Sequence, residues 1–470
     1  MSPSSSGESI EVVSPIDGQV LTTTASGTTD DTARAIADAR KAFDDGRWRN
    51  MAPAARKKIM HKWADLIDAE ALELAVLGVR DNGTEISMAI RGESGSAANT
   101  IRYYAEAIDK LYGQIAPTAH EFLGLVHNEP VGVVAAIIPW NFPLMIGAWK
   151  LGPALAVGNS VVLKPSEMAS LSLLRLAELA LEAGIPEGVF NVVTGKGSVV
   201  GEAMSNSMDV DVIVFTGSGS TGRRLLEGSA RSNMKRCYLE LGGKSANIVF
   251  ADTKNIAEAA KVSASGIFRN SGQVCVAGSR LLVEASVHDE FVELLAQETN
   301  AINVGDPLNI NTTSGAVNNA EQLAQNLEFV ETAQAEGGNL YRGGNQLLAD
   351  TGGFYMEPTI ITQVQKQHTL AQQEVFGPVL AVTSFTDEAH AIELANSTDF
   401  GLAGGLWTSN LSRAHKMIRA MRTGVVHVNT YGGPDVTVPM GGVKQSGNGH
   451  DKSLHAFDKF IDLKTAWIKL

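Results

Sequence analysis

Polar and apolar positions recur with helical spacing over the first hundred or so residues, and from Val131 short apolar runs alternate with amphipathic ones. Thr29 or Asp30 is placed to cap a first helix over Asp31–Asp45, and Gly46 is a natural stop. Helical sequence continues broadly from Pro53 to Tyr112. The runs Val131–Ile138, Ser160–Lys164, Val189–Val193, Val212–Phe215 and Ala246–Phe250 have strand length and predict buried strands. Between them, Ser170–Ala183 carries Leu171, Leu174, Leu176, Leu179 and Ala180 at near-helical spacing, and Gly184 ends it. Strand–helix–strand alternation predicts an α/β fold with a parallel sheet and crossover helices. A second α/β stretch runs from about Gly243 to Gly442. The last piece, Ala456–Leu470, alternates through Phe460, Ile461, Leu463, Trp467 and Ile468. Such a terminal strand is exposed unless it pairs with another sheet, which points to a homo-oligomer.

Length changes this picture by requiring division. A chain of 470 residues exceeds the roughly 250–300 residues at which single cores stop growing, so two large domains with small extensions are expected. Hydrophobic residues make up 44% and charged ones 19%, as in water-soluble globular proteins. No apolar run reaches the roughly 18 residues of a membrane span. The polar Met1–Ser9 segment lacks the basic and apolar regions of a signal peptide. Two cysteines make no disulfide framework, so a reducing, cytoplasmic setting is expected. A net charge of −13 argues against a nucleic-acid partner. The ten histidines show no paired ligand spacing, and no metal is expected.

Several short segments then supply candidate chemistry. Cys275 lies in Gly272-Gln273-Val274-Cys275-Val276-Ala277-Gly278. A thiolate attacks carbonyl carbon well, although a lone cysteine is more often simply buried. Cys237, in a strand-like run, is read as structural. Glu240 ends an apolar strand ahead of Gly242 and Gly243, as suits a general base, with a salt bridge to Lys244 the competing reading. Asn141, in Pro139-Trp140-Asn141-Phe142-Pro143, follows a strand where parallel sheets bind ligands. Its amide can donate to an oxyanion, or can merely shape a turn between prolines. Phe215-Thr216-Gly217-Ser218-Gly219-Ser220-Thr221-Gly222 can present a helix N-terminus to a pyrophosphate. A Walker A reading fails because Arg223 stands where lysine is required. Lys164 and Glu167 also follow a strand. A carboxylate there accepts from a ribose 2′-hydroxyl and repels a 2′-phosphate, which favours NAD.

Taken in order, Asn141, Lys164, the Gly217–Gly222 turn, Glu240, Cys275, Glu374-Val375-Phe376-Gly377-Pro378, Asn429 and Pro439-Met440-Gly441-Gly442 through Gly447 resemble the aldehyde dehydrogenase superfamily over nearly the whole chain. The departures are Met440 for the usual aromatic, His450 for the usual arginine and Gln373 for a frequent acid. Within that family, Ser232–Arg236 leading into Glu240–Asp252, and Lys444–Gly449 with Asp451–Ala456, look like the bacterial γ-glutamyl-γ-aminobutyraldehyde dehydrogenases of polyamine degradation.

The resemblance implies a Rossmann-like NAD-binding domain over 1–110 and 131–242, an α/β catalytic domain over 243–450, and a β oligomerisation arm from 111–130 and 457–470. It implies a homodimer or homotetramer. It implies NAD-dependent oxidation of an aldehyde through a Cys275 thioester, hydrolysed by water that Glu240 activates. Asn141 and Lys150 join them as catalytic residues. The cofactor would lie against Ile138, Pro139, Trp140, Lys164, Ser166, Glu167, Phe215, Thr216, Gly217, Ser218, Gly222, Leu241, Gly242, Glu374 and Phe376. A silent relative would be expected to lose Cys275 or Glu240, and neither is lost. The substrate tunnel is expected along Phe142, Met145, Trp149, Val274, Val276, the Tyr431–Val438 loop and Met440. An arginine beside the nucleophile would suit a semialdehyde carboxylate, but Val274 and Val276 flank Cys275. Asp435, the single acid of an otherwise neutral loop, is placed to meet a cationic substrate end. The expected substrate is an ω-amino or γ-glutamylamino aldehyde, or else a broad range of aliphatic and aromatic aldehydes.

Overall fold

The apolar runs of the middle chain form one parallel five-stranded sheet in a computed structural model that describes residues 3–433 and 435–470. Met1 and Ser2, the start of the polar N-terminal segment, lie outside the described residues. The sheet runs Phe190–Val192, Ser160–Lys164, Val133–Ile137, Val212–Thr216, Arg236–Glu240 across its width. Val133–Ile137 lies at the centre, so the chain winds first to one side and then to the other. Open sheets of this kind bind ligands beyond the carboxyl ends of the strands where the order reverses.

Only five residues, Leu241–Ser245, link Glu240 to the next strand, Ala246–Val249. That strand belongs to a seven-stranded sheet ordered Asn339–Arg342, Thr359–Thr362, Val379–Phe385, Arg280–Glu284, Ala246–Val249, Ala403–Trp407, Val425–Val428. It is parallel except at the Asn339–Arg342 edge. The short link brings the carboxyl end of the first sheet to the amino end of the second. One buried apolar cluster contains Val134 and Val161 from the first and Leu281 and Leu380 from the second, so the two share a core. A third sheet pairs Ile461–Lys469 with Phe122–Pro130 and that strand with Gln114–Ala116, all antiparallel. It leaves Ile115, Leu463 and Trp467 mostly exposed.

Three boundaries differ from the sequence expectation. The first helix spans Thr29–Asp44, and its cap is Thr28 rather than Thr29 or Asp30. The reason is a capping box: the Asp31 amide donates to the Thr28 hydroxyl at 3.1 Å, and the Thr28 amide donates to the Asp31 carboxylate at 2.9 Å. The Pro53–Tyr112 region is not one helical run. It breaks after Asn82, where Gly83 takes a left-handed φ of 84°, and widens into a π-helical turn at Ala89–Gly95. The terminal strand begins at Ile461, not Ala456, because Leu454–Lys459 turns helically to bury Ala456 and Phe457, with Phe460 just beyond. No helix among the described residues is long and apolar enough to cross a membrane.

Candidate active site

The cysteine loop is built from unfavourable backbone. Asn270, Ser271 and Gly272 are consecutively left-handed, at φ 49°, 51° and 73°. For non-glycine residues that costs of order 1–3 kcal/mol each and must be held by neighbours. The neighbours are present. The Asn270 amide donates to Glu85 at 3.1 Å, and the Thr84 hydroxyl donates to the Asn270 side chain at 2.8 Å. The Ser271 hydroxyl donates to the Gly315 carbonyl at 2.8 Å, and the Asn318 amide donates to Gln273 at 2.8 Å. Gly272 is required by close approach as well: a Cβ there would lie 2.1 Å from the Gly377 carbonyl oxygen. The turn delivers Cys275 to the wall of a cavity of about 430 Å³. Burial pushes its thiol up to about 12, helped by the Glu374 and Glu240 carboxylates.

Asn141 opens the segment before the Pro143–Ala156 helix, and its amide nitrogen donates to the Gln273 carbonyl at 2.9 Å, two residues from Cys275. An amide has two hydrogens, so one is left for an oxygen near the thiol. The helix then places Phe142, Met145 and Trp149 along the cavity at helical spacing, together with Val274, Val276 and Met440. Its first turn is capped by a residue that no local motif marks. The Leu144 and Met145 amides donate to buried Glu93, at 2.7 and 3.3 Å.

Glu240 ends the Arg236–Glu240 strand, and neither carboxylate oxygen has a hydrogen-bond partner among the described residues. Burial raises its pKa well above the usual carboxylate range. Asp451 adds to the rise, and Lys150 and Lys459 oppose it. Lys150 and Lys459 both pair with Asp451, and all three side chains are buried. The expected competitor, a Glu240–Lys244 salt bridge, does not form. Burial draws the Lys244 ammonium down to about 7, and it has no hydrogen-bond partner among the described residues. Asp451 and Lys459 escaped sequence reading because nothing local marks them; only the fold brings 150, 451 and 459 together.

The remaining candidates collect around the carboxyl ends of the five-stranded sheet. Ser218 caps the Gly219–Arg231 helix by accepting from the Thr221 amide at 3.3 Å. Gly222 allows that helix to sit against Leu239 and Leu241, which a Cβ would meet at 3.3 and 3.1 Å. Gly217 sits tightly over Phe215, and Thr216 ends the same strand. Ile138 and Pro139 continue the central strand toward Trp140, whose ring meets Phe376 edge-on at 5.3 Å. Lys164 donates to Glu167 at 2.9 Å, and Ser166 accepts from the Met168 amide beside them. Burial acts to raise Glu167, but Lys164 holds it below the usual range. The Gly243 amide donates to Glu374 at 2.9 Å, and a Cβ on Gly242 would collide with that carboxylate at 1.9 Å. The set fits a dinucleotide: a Ser218-capped helix N-terminus whose first-turn amides can meet phosphates, a paired carboxylate for ribose hydroxyls, and a carboxylate and aromatic pair leading toward Cys275.

Residues 2–466 match the model of the Aldehyde dehydrogenase family. This chain belongs to that family. The Escherichia coli NADP/NAD-dependent aldehyde dehydrogenase PuuC is 50% identical over 98% of this chain and 93% of its own length. A P. syringae indole-3-acetaldehyde dehydrogenase solved with NAD+ and IAA superposes with TM-score 0.99 at 50% identity, covering 100% of this chain and 95% of that one. A γ-glutamyl-γ-aminobutyraldehyde dehydrogenase of Burkholderia cenocepacia gives TM-score 0.98 at 46% identity with the same coverage. The aldehyde dehydrogenase fold is therefore shared throughout.

Two expectations about the tunnel need correction. Tyr431 is not on its wall: the ring is buried, and the hydroxyl donates to the Val276 carbonyl at 2.9 Å. Gly433, Asp435 and Val436 of that loop do line the cavity, while Pro434 lies outside the described residues. The second correction concerns charge. Valines flank Cys275 in sequence, yet Arg269 lines the same cavity, because the left-handed turn at 270–272 folds it back. Arg91 and Lys452 line it too, so Asp435 is not alone.

Proposed function

We propose that this aldehyde dehydrogenase oxidises ω-amino or γ-glutamylamino aldehydes with NAD through a thioester on Cys275. The observation that carries the reading is Glu240 itself, a buried carboxylate at the end of a strand whose two oxygens are committed to no other group among the described residues, while Cys275 lines the cavity. The Cys275 thiolate adds to the aldehyde carbon, and the carbonyl oxygen becomes an oxyanion held by the Asn141 amide. A dinucleotide held by Lys164, Glu167, Ser218 and Glu374 would supply the hydride acceptor through which the adduct on Cys275 becomes a thioester. Glu240 then removes a proton from water, the hydroxide adds to the acyl carbon, and the carboxylic acid leaves as the C–S bond breaks. Lys150, fixed by Asp451, sets the charge around Glu240. Glu167, paired with Lys164, favours NAD over its 2′-phosphate.

The substrate class is supported by the chain's likeness to the B. cenocepacia enzyme and by the apolar, aromatic barrel of the cavity. The exposed sheet ending in Ile461–Lys469 supports assembly through that arm as a homodimer or homotetramer. Two free thiols support a reducing, cytoplasmic setting. Initial rates with NAD and NADP across 4-aminobutanal, its γ-glutamyl derivative, propanal and benzaldehyde test the reading, with Cys275→Ala as control. Turnover favouring the first two and lost in the control is expected. Equal rates on all four would remove the substrate class, and undiminished activity in Cys275→Ala would remove the mechanism.

A further inference from the structure

Two buried carboxyl groups on one short segment hold the two sides of the reacting centre. Glu85 accepts from the Asn270 amide at 3.1 Å and from the Gly315 amide at 3.2 Å, and so fastens the turn that delivers Cys275. Glu93, further along the same segment, accepts from the Leu144 and Met145 amides at 2.7 and 3.3 Å. Between them the chain widens into the π-helical turn Ala89–Gly95, a distortion found frequently at functional sites. That turn shows Arg91 and Gly92 to the cavity and buries Glu93 against the start of the Pro143–Ala156 helix.

The helix start depends on Glu93 for its backbone. Pro143 has no amide hydrogen, and Phe142 before it makes no side-chain cap. The first intrahelical bond runs from the Ile146 amide to the Phe142 carbonyl at 3.0 Å. The orphan amides left over are those of Leu144 and Met145, and one oxygen of Glu93 takes both. Asn141 lies just ahead of this turn. Its side chain donates to the Gln273 carbonyl at 2.9 Å, and its own carbonyl accepts from the Asn270 side chain at 3.4 Å. Asn141 is thus tied to the nucleophile turn on one side and, through Phe142 and Pro143, to the Glu93 cap on the other. Burial pushes the Glu93 carboxyl up to about 8, the two amides opposing the rise and Asp81 adding to it. Its second oxygen has no partner among the described residues. Burying an ionisable group in this way is costly, and what it secures is the backbone from which Asn141 aims its amide.

The geometry points to Glu93 as a positioning residue: it does not line the cavity, and by holding the start of the Pro143–Ala156 helix it sets where the Asn141 donor stands relative to the Cys275 thiol. This rests on the thioester reading, in which Asn141 holds the oxyanion. A misplacement of about 1 Å costs on the order of 100-fold in rate, so the effect falls on the chemical step and not on cofactor binding.

The test is a double-mutant cycle on the rate of first-turnover NADH formation, followed by stopped flow at saturating NAD with the fastest aldehyde of the panel above. Wild type, Glu93→Leu, Asn141→Ala and the double variant are compared, with thermal unfolding and an NAD titration of each. Glu93→Leu keeps the side-chain bulk and removes the acceptor. It is expected to slow the first turnover about 10- to 100-fold with NAD affinity unchanged, and Glu93→Gln, which keeps an acceptor oxygen, to recover most of the rate. The double variant should be no slower than Asn141→Ala alone, because Glu93 acts through Asn141. A double variant slowed by the product of the two single effects overturns the proposal. So does a Glu93→Leu enzyme that loses thermal stability while its rate per active site stays at the wild-type value. If Glu93→Leu does not fold, Glu93→Asp, whose carboxylate is drawn back by one methylene, takes its place in the cycle with the same outcomes. An Asn141→Ala enzyme at the wild-type rate would instead remove the oxyanion role of Asn141, and the proposal with it.

Discussion

Gly447 lies so close to the Leu239 carbonyl that a Cβ on it would meet that oxygen at 1.9 Å. Around this contact the Leu241 amide donates to the Ser446 carbonyl at 2.9 Å and the Asn448 amide to the Leu239 carbonyl at 2.9 Å. The glycine-rich segment after Met440 is therefore a clamp on the strand end that bears Glu240. Gly447 also has φ 120°, which a side chain rarely adopts. Gly447→Ala is expected to destabilise the protein by about 1–3 kcal/mol through overpacking, and to cost more in kcat than in substrate affinity. Thermal unfolding with steady-state kinetics reads both, and an unchanged Tm and kcat would refute the clamp.

Glu240→Gln separates the two halves of the reaction. On the proposed mechanism the thioester step needs no carboxylate at 240, whereas hydrolysis does. A pre-steady-state burst of NADH near one equivalent is expected, followed by turnover reduced about 100- to 10,000-fold. A variant with no burst would place Glu240 in the first half instead.

The pH profile has a determined sign. Glu240 acts as a base only when deprotonated, and burial holds its pKa well above the usual range. Hydrolysis-limited kcat should therefore fall as pH drops through that raised value, well before ordinary carboxylates protonate. The thiol, at about 12 in the free enzyme, becomes more nucleophilic as pH rises, so kcat/KM should climb on the alkaline side. An acid limb of kcat lying in the ordinary carboxylate range would contradict the environment assigned to Glu240.

Asp451→Asn leaves two buried ammoniums, Lys150 and Lys459, without their carboxylate. Removing one partner of a buried pair costs about 3–5 kcal/mol. Asp451 raises Glu240 by repulsion while the lysines lower it, so its removal should shift the acid limb of kcat to lower pH. If Asp451→Asn does not fold, Asp451→Glu should fold and keep that limb near its wild-type position. A limb unmoved in a folded Asp451→Asn would disconnect the cluster from Glu240.

Glu167→Gln is expected to raise the NADP-to-NAD ratio of kcat/KM about tenfold, since the repulsive charge goes while Lys164 remains. An unchanged ratio would move cofactor selection elsewhere.

Sheet-forming runs were legible because a parallel strand is apolar on both faces: Ser160–Lys164 is a strand with the same bounds read from the sequence. The family motifs around Asn141, Glu240 and Cys275 were legible because each pairs a reactive side chain with glycine or proline in a short window. Glu93, Asp451 and Arg269 were not. Glu93 sits inside a helical run and acts on a helix 50 residues downstream. Asp451 acquires meaning only from two lysines that approach it in space. Arg269 reaches the cavity only because three left-handed residues reverse the chain between it and Cys275, and Ser271 among them is of a type that seldom adopts that backbone.

The turn at 270–272 is fastened by Thr84 and Glu85, which precede it, and by Gly315 and Asn318, which follow it. While the chain is being synthesised, Cys275 emerges before half of those fastenings exist. Until they arrive its thiol is an ordinary cysteine on an unsettled loop, with no oxyanion donor fixed beside it. On the proposed mechanism reactivity is thus a late acquisition of the folded whole, and a truncated product ending near residue 300 would carry Cys275 without the chemistry proposed for it.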